Sequence, residues 1–425
     1  MKVTLIGSIF SLALLNACGD GSPFSGNSLE TASPESQQKE DTQQLGISLP
    51  KYKVQVSGGS GSGSYSPGET VYVWSGVKSG QVSTSWGGQA QLLQSPKEWA
   101  TSFIMPWRDV SLSVQQTALE LQFNVKPFKG ATDRVKQVRY FFPANMRGVV
   151  FLNHGTGGSS DFVEKMEARA VALAFIQKGY GVISPEAEEA VAGDLNGDGK
   201  LRWNLGMERS NVDLRNLEML LRDFETEGQL KSGIPRFSIG MSNGGAFSIF
   251  LGAIATSPIA SFFPRLKFRA VTSYCADGSG TMQYQTQTPT AWYMCGNDDN
   301  VEVSNSEARN NHYSLWLRGV RTQYAEHPAT PLYGERFTRI SGISTELSRS
   351  LASEFRAAGF VNADGFFKMP TDMIVEEISK QTNIFPVFSG LSSEQKREVR
   401  SQIQTMQAEH SMYSDFAQRN IDFFE

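Results

Sequence analysis

From about residue 118 onward the chain predicts an α/β architecture: a mostly parallel, doubly wound sheet with helices on both faces. Two observations predict it. Short apolar runs such as GVVFLNHG, YGVISPE, FRAVTSYC and PTAWYMCG read as strands buried on both sides. Between them lie longer segments with apolar residues at helical spacing, among them VEKMEARAVALAFIQKG. In ERSNVDLRNLEMLLRDFETEG the apolar face is Val212, Leu214, Leu217, Leu220, Leu221 and Phe224. Strand–helix alternation supplies the crossovers that parallel neighbours need.

The first residues follow a different logic. Lys2 precedes an apolar stretch from Val3 to Leu15, and Leu15-Asn16-Ala17-Cys18 follows. The stretch is too short for a spanning helix and reads as an export signal. Its end resembles the lipobox of bacterial lipoproteins, which implies cleavage before Cys18, acylation of its thiol and a membrane-anchored protein of the cell envelope. Residues 19–48, rich in Ser, Gln, Glu and Pro, read as a disordered tether. A formal net charge of −4, with no cluster of Lys and Arg, gives no footprint for nucleic acid.

Residues 49–117 alternate in short apolar–polar segments, YKVQVSG, ETVYVWSG and TSFIMPWRDVSLSVQ, and predict a small all-β module. The stretch GSGSYSPGETVYV, Trp86 and the run Phe103-Ile104-Met105-Pro106 before Asp109-Val110 resemble a divergent internalin B-type bacterial repeat. That likeness implies a surface module for spacing or adhesion with no catalytic part.

In the α/β portion, 118–425, the strand RFSIG runs into a turn and then a helix from about Gly244. FRAVTSYC, PTAWYMCG, a helix containing ARNNHYSLWLRG and a strand in ERFTRISGI follow. Residues 345–409 read as a helical cap inserted outside the sheet, and SDFAQRNIDFF as a short amphipathic helix.

Chemistry concentrates at two turns. Gly240-Met241-Ser242-Asn243-Gly244 is a G-x-S-x-G sequence on a strand-to-helix turn, which thrusts the Ser242 hydroxyl above the sheet. Upstream, His154-Gly155-Thr156-Gly157-Gly158 ends another strand; backbone amides at Gly155 or Thr156, with that of Asn243, are placed to stabilise an oxyanion. His154 precedes the serine and is assigned to orienting this loop. A serine nucleophile needs a base and an orienting carboxylate. Of the later histidines, His410 is preferred and His327 comes second, while His312 lies mid-helix. Asp299, four residues after Cys295, is preferred as the carboxylate, with Asp298 as competitor.

Together the elbow and the HGTGG loop resemble the α/β-hydrolase superfamily, in particular secreted polyhydroxybutyrate depolymerase-like and feruloyl esterase-like enzymes. The resemblance spans about Val138 to the C-terminus and implies a Ser-Asp-His triad, no cofactor and a small or polymeric ester substrate. The chain departs from those families in the roughly 110 residues between the acid and the histidine. A serine peptidase of the same fold and a non-catalytic adhesin are the alternatives.

Two further readings concern ligands. Cys275 and Cys295 each end a predicted strand; if those strands are neighbours in the sheet, a disulfide in an oxidising compartment is the preferred reading, with two buried free thiols as the alternative. Asp194-Leu195-Asn196-Gly197-Asp198-Gly199 matches the start of a calcium loop, but Leu205 stands where its bidentate Glu belongs, so a polar turn is the preferred reading. No catalytic-zinc spacing is present.

Overall fold

The computed structural model describes residues 49–278, 286–381 and 383–425. The expected lipobox with Cys18 and the tether to residue 48 lie outside the described residues. Among the described residues no helix is long and apolar enough to cross a membrane.

Six strands come first: β1 (Tyr52–Ser57), β2 (Gly63–Tyr65), β3 (Thr70–Trp74), β4 (Gln81–Gly88), β5 (Ala100–Ile104) and β6 (Val110–Ala118). They form a sheet of order β2-β1-β6-β4 and a β3-β5 ribbon. Their alternating inward residues, among them Val54, Val56, Val71, Val73, Phe103 and Leu112, make a core of their own. These strands nevertheless belong to one compact unit with everything from Pro50 to Glu425.

The large sheet contains β7 (Asn124–Phe128), β8 (Lys136–Phe141), β9 (Gly148–Asn153), β10 (Tyr180–Ser184), β11 (Arg236–Met241), β12 (Ala270–Tyr274), β13 (Thr290–Cys295) and β14 (Thr322–His327). Its order is β14-β13-β12-β11-β9-β10-β8-β7. Pairings from β10 through to β14 are parallel, and β8 is antiparallel to both its neighbours. The expected mostly parallel sheet is therefore present. One face packs on α1 (Met166–Gln177) and the C-terminal helix of Ala417–Phe424; the other packs on Val212–Thr226 and Asn243–Ile254.

In chain order the helices are α1, α2 (Glu188–Ala192), α3 (Val212–Thr226), α4 (Asn243–Ile254), α5 (Asn305–Leu317), α6 (Thr345–Ala357), α7 (Thr371–Lys380), α8 (Pro386–Ser389), α9 (Ser393–Met406) and α10 (Ala417–Phe424). The segment α6–α9, which the sequence reads as a helical cap, holds a core of its own, with Leu351, Phe355, Phe360, Ile374, Phe388 and Ile403 buried. One strand is placed differently from the sequence reading. ERFTRISGI contains a 3₁₀ turn at Arg336–Arg339, and the last strand is β14, with His327 as its final residue. Its polar sequence, TQYAEH, is that of a half-exposed edge strand, which carries no long apolar run.

The chain runs from β9 to β10 on one side, then crosses to β11 on the other flank of β9. At such a reversal the carboxyl ends of the two strands diverge into loops and leave a crevice. The turns after β9 and β11 are the two singled out above.

Candidate active site

Ser242 links β11 to α4 with φ +56° and ψ −127°. A side chain in the left-handed region costs of the order of 1–3 kcal/mol and persists only when its surroundings enforce it. They do. The Ser242 N–H donates to Tyr274 O at 2.8 Å, and its carbonyl accepts from Gly245 and Ala246. A Cβ on Gly240 would lie 1.9 Å from Gly244 O, and one on Gly244 would lie 2.3 Å from the carbonyls of Asn153 and His154. Beneath the elbow, Asn153 Nδ2 donates to Ser238 Oγ (2.9 Å) and Ser248 Oγ (3.0 Å), and Ser248 Oγ donates to Gly244 O. This buried polar knot pins β9, β11 and the first turn of α4 to each other. Nothing in the local sequence marks Asn153 for this part, since its partners Ser238 and Ser248 stand 85 and 95 residues away.

The loop after β9 lies directly against the serine. A Cβ on Gly155 would fall 3.3 Å from Ser242 Cβ. Among the described residues the amides of Gly155, Thr156 and Asn243 meet no acceptor, whereas Gly157 and Gly158 donate to Leu201 O and Gly155 O. Asn243 is also the first residue of α4, so the helix dipole adds to its N–H. His154 is buried; its Nε2 accepts from Ala187 N at 3.1 Å and its Nδ1 donates to Gly155 O at 2.8 Å. Burial lowers its pKa to about 4, so the ring is neutral and serves as a loop fastener.

At the same rim, His410 Nδ1 lies 2.8 Å from Asp298 Oδ2. This corrects the preference for Asp299. In the turn leaving β13 the Asp298 side chain folds inward, 1% exposed, with Oδ1 accepting from Asn300 N, and Asp299 points to solvent. The His410 segment is fastened to that turn by Asn297 N to Ala408 O (2.9 Å) and Asn297 Nδ2 to Gln407 O (2.8 Å). His327 is removed from candidacy: it is buried, with Nε2 3.0 Å from Asp415 Oδ2, and packs against the rings of Tyr413 and Phe416. His312 stays on α5, its Nδ1 3.0 Å from Thr322 Oγ1.

Cys275 and Cys295 are neighbours, but they are free thiols, which corrects the expected disulfide. Both Sγ atoms are aimed at one acceptor, Ser411 O, at 3.2 Å each. A short path thus joins the halves of the site: Ser242 N bonds Tyr274 O, and the next residue, Cys275, bonds the carbonyl following His410. Donor atoms of Cys275, Cys295 and Asp298 lie within 4.8 Å of one another. Asp298 is committed to His410 and the thiols to Ser411, so the trio supports the histidine segment.

The calcium-like loop is built as a polar turn. Asp194 accepts amides from Gly197, Asp198 and Gly199, and Asp198 faces Arg202 at 3.1 Å.

No family model matches the chain, and no curated protein does. Among solved structures it is similar to a dienelactone hydrolase from Anabaena variabilis, at 17% identity over 56% of this chain and 97% of that one, TM-score 0.36. A lipase/esterase from Lactobacillus plantarum gives 13% identity over 48% and 91% of the two chains, TM-score 0.35. A puromycin-hydrolysing peptidase from Mycobacterium tuberculosis gives 15% identity over 50% of this chain but 38% of that longer one, TM-score 0.34. At such identities and scores these likenesses carry nothing about reaction or substrate.

Proposed function

We propose that the chain is a serine hydrolase of α/β-hydrolase type that cleaves carboxylic esters through an acyl-enzyme on Ser242. The observation that carries this reading is a serine held left-handed at the carboxyl end of β11, at the rim that also bears a His410–Asp298 pair. Ser242 Oγ attacks the ester carbonyl while His410 Nε2 takes its proton. Asp298 accepts from Nδ1–H, fixing the tautomer and stabilising the imidazolium. The tetrahedral oxyanion is met by the amides of Asn243 and of Gly155 or Thr156. Collapse expels the alcohol with the proton from His410, and water then releases the acid by the same steps in reverse order.

The same proposal includes export and lipid anchoring at Cys18, with an ester substrate approached from the membrane surface. A fluorophosphonate probe tests the centre of it: wild type labels, Ser242→Ala does not, and turnover on short acyl esters falls about a million-fold. Equal labelling of both proteins would sink the assignment. Anchoring is tested by fractionation, in which Cys18→Ser moves the protein out of the membrane fraction.

A further inference from the structure

Trp203 lies on a connection from which the sequence reading drew only a calcium-like motif. It is 2% exposed and makes four contacts at once with the elbow, its helix and the loop after β9. Its backbone N–H donates to Asn243 Oδ1 at 2.8 Å, and its indole Nε1–H donates to His154 O at 2.9 Å. Its ring stacks on Phe247 of α4, centroids 4.4 Å apart, and leans on the His154 imidazole at 4.9 Å. Two residues earlier, Leu201 O takes the Gly157 N–H at 2.7 Å.

The connection is itself fixed from behind. Glu189 accepts from Leu195 N and Arg202 N, Asp213 from Asn204 N, and Asn211 Nδ2 donates to Asn204 O and Gly206 O. On its outer side, Lys200 and Arg202 pair with Glu302, in the segment that follows Asp298. One loop therefore touches both sources of oxyanion amides and the segment carrying the acid.

We propose that residues 193–205 form a brace that sets the oxyanion geometry, with Trp203 as its positioning residue. The inference rests on the hydrolase reading above. Trp203 touches no reacting atom. It clamps the His154 carbonyl, which shares a peptide with the free Gly155 amide, and the side chain of Asn243, whose own amide is free, so that Gly155 and Asn243 keep a fixed separation across the crevice. A single oxyanion donor is worth roughly a hundred- to a thousand-fold in rate, and small misplacements forfeit much of that. A brace spanning both donors thus acts on kcat.

Trp203→Phe keeps the stacking and the backbone donor and removes only the indole N–H. Asn243→Ala removes the acceptor of the backbone donor and spares the Asn243 amide. Each is expected to lower kcat roughly ten- to a hundred-fold with KM changed less than about threefold. Affinity for a boronic acid transition-state analogue should fall in parallel with kcat/KM. Amide hydrogen exchange at residues 154–158 should accelerate in both variants, a readout independent of turnover. If wild type shows no Ser242-dependent turnover but exchange still rises, the hydrolase reading fails and the brace stands. Folded variants with unchanged kcat, analogue affinity and exchange overturn the brace; should Trp203→Phe not fold, Asn243→Ala decides alone.

Discussion

Asp298 and Asp299 are adjacent, chemically identical and opposite in fate: one side chain is buried against His410, the other faces water. Asp298→Asn should lower kcat about 10³- to 10⁴-fold by favouring the wrong tautomer of His410, and Asp299→Asn should stay within about twofold, both read as turnover of a chromogenic ester. The sequence identifies the pair but not the choice, because the choice depends on the backbone turn after β13. A second residue-scale prediction concerns pH. His154 is neutral when folded down to about pH 4, whereas the unfolded chain protonates it near 6.5. Over that window the unfolded state binds more protons, so stability falls as pH falls, by about 3 kcal/mol in all. Asp213 works in the opposite direction. Burial, reinforced by Glu188 and Glu189, raises its pKa to about 6 against its amide hydrogen bonds. Between pH 6 and 3.8 the folded state binds the extra proton, so this group's contribution to stability rises as pH falls. The two offset in wild type. Urea midpoints at pH 7 and 4.5 should separate them: His154→Gln should gain about 2–3 kcal/mol of relative acid stability over wild type, and Asp213→Asn should lose about as much.

At the scale of elements, the strand–turn–helix around Ser242 was fully legible, because Gly240, Gly244 and Gly245 sit where any side chain meets backbone or a buried hydroxyl. A methyl group on Gly244 collides with two carbonyls of the β9 turn, so Gly244→Ala should abolish fluorophosphonate labelling. Gly157, with φ +70° and nothing within 4 Å of its would-be Cβ, should tolerate alanine for about 1–2 kcal/mol with labelling retained. The edge strand β14 was not legible, since half-exposed residues show no apolar run. Nor was the engagement of the cysteines: β12 and β13 are neighbours, the condition a disulfide required, but the carbonyl of Ser411, which occupies both thiols, arrives from over a hundred residues away. Burial pushes the Cys275 thiol well above its ordinary range. A thiol reagent should therefore leave Cys275 and Cys295 unmodified in the native protein and titrate both after unfolding, as counted by mass.

At the scale of the whole molecule, the N-terminal strands, the helical insertion and the sheet meet at a cluster of buried charge. Arg339, from the turn before α6, donates to Glu167 of α1 at 2.7 Å and to Ser414 Oγ at 2.6 Å. Gln402 of α9 joins Arg336 to Glu167, and Ser414 N also donates to Glu167. Burial opposes ionisation of Glu167, but Arg339 and Arg336 outweigh it and hold the carboxyl below its ordinary value. Both guanidiniums also lie over the Trp74 ring of β3, at 5.0 and 5.4 Å, and Arg339 over Trp99 at 5.6 Å. The sequence divides these regions by pattern, and pattern cannot reveal a charge pair whose members stand 172 residues apart. Because the cluster draws on every layer, breaking it should be felt everywhere. Arg339→Met leaves Glu167 buried with its closest cation gone and should cost about 3–5 kcal/mol, while the double variant Arg339→Met, Glu167→Gln should cost less than the sum of its parts. Tryptophan fluorescence, to which Trp74, Trp86, Trp99 and Trp107 contribute from the N-terminal strands and Trp203, Trp292 and Trp316 from the rest, and far-ultraviolet circular dichroism, which samples the sheet and helices, should report one coincident urea transition in wild type. If the fluorescence transition came first, the N-terminal strands would be an independently folding module and the shared ionic core would not couple them to the rest.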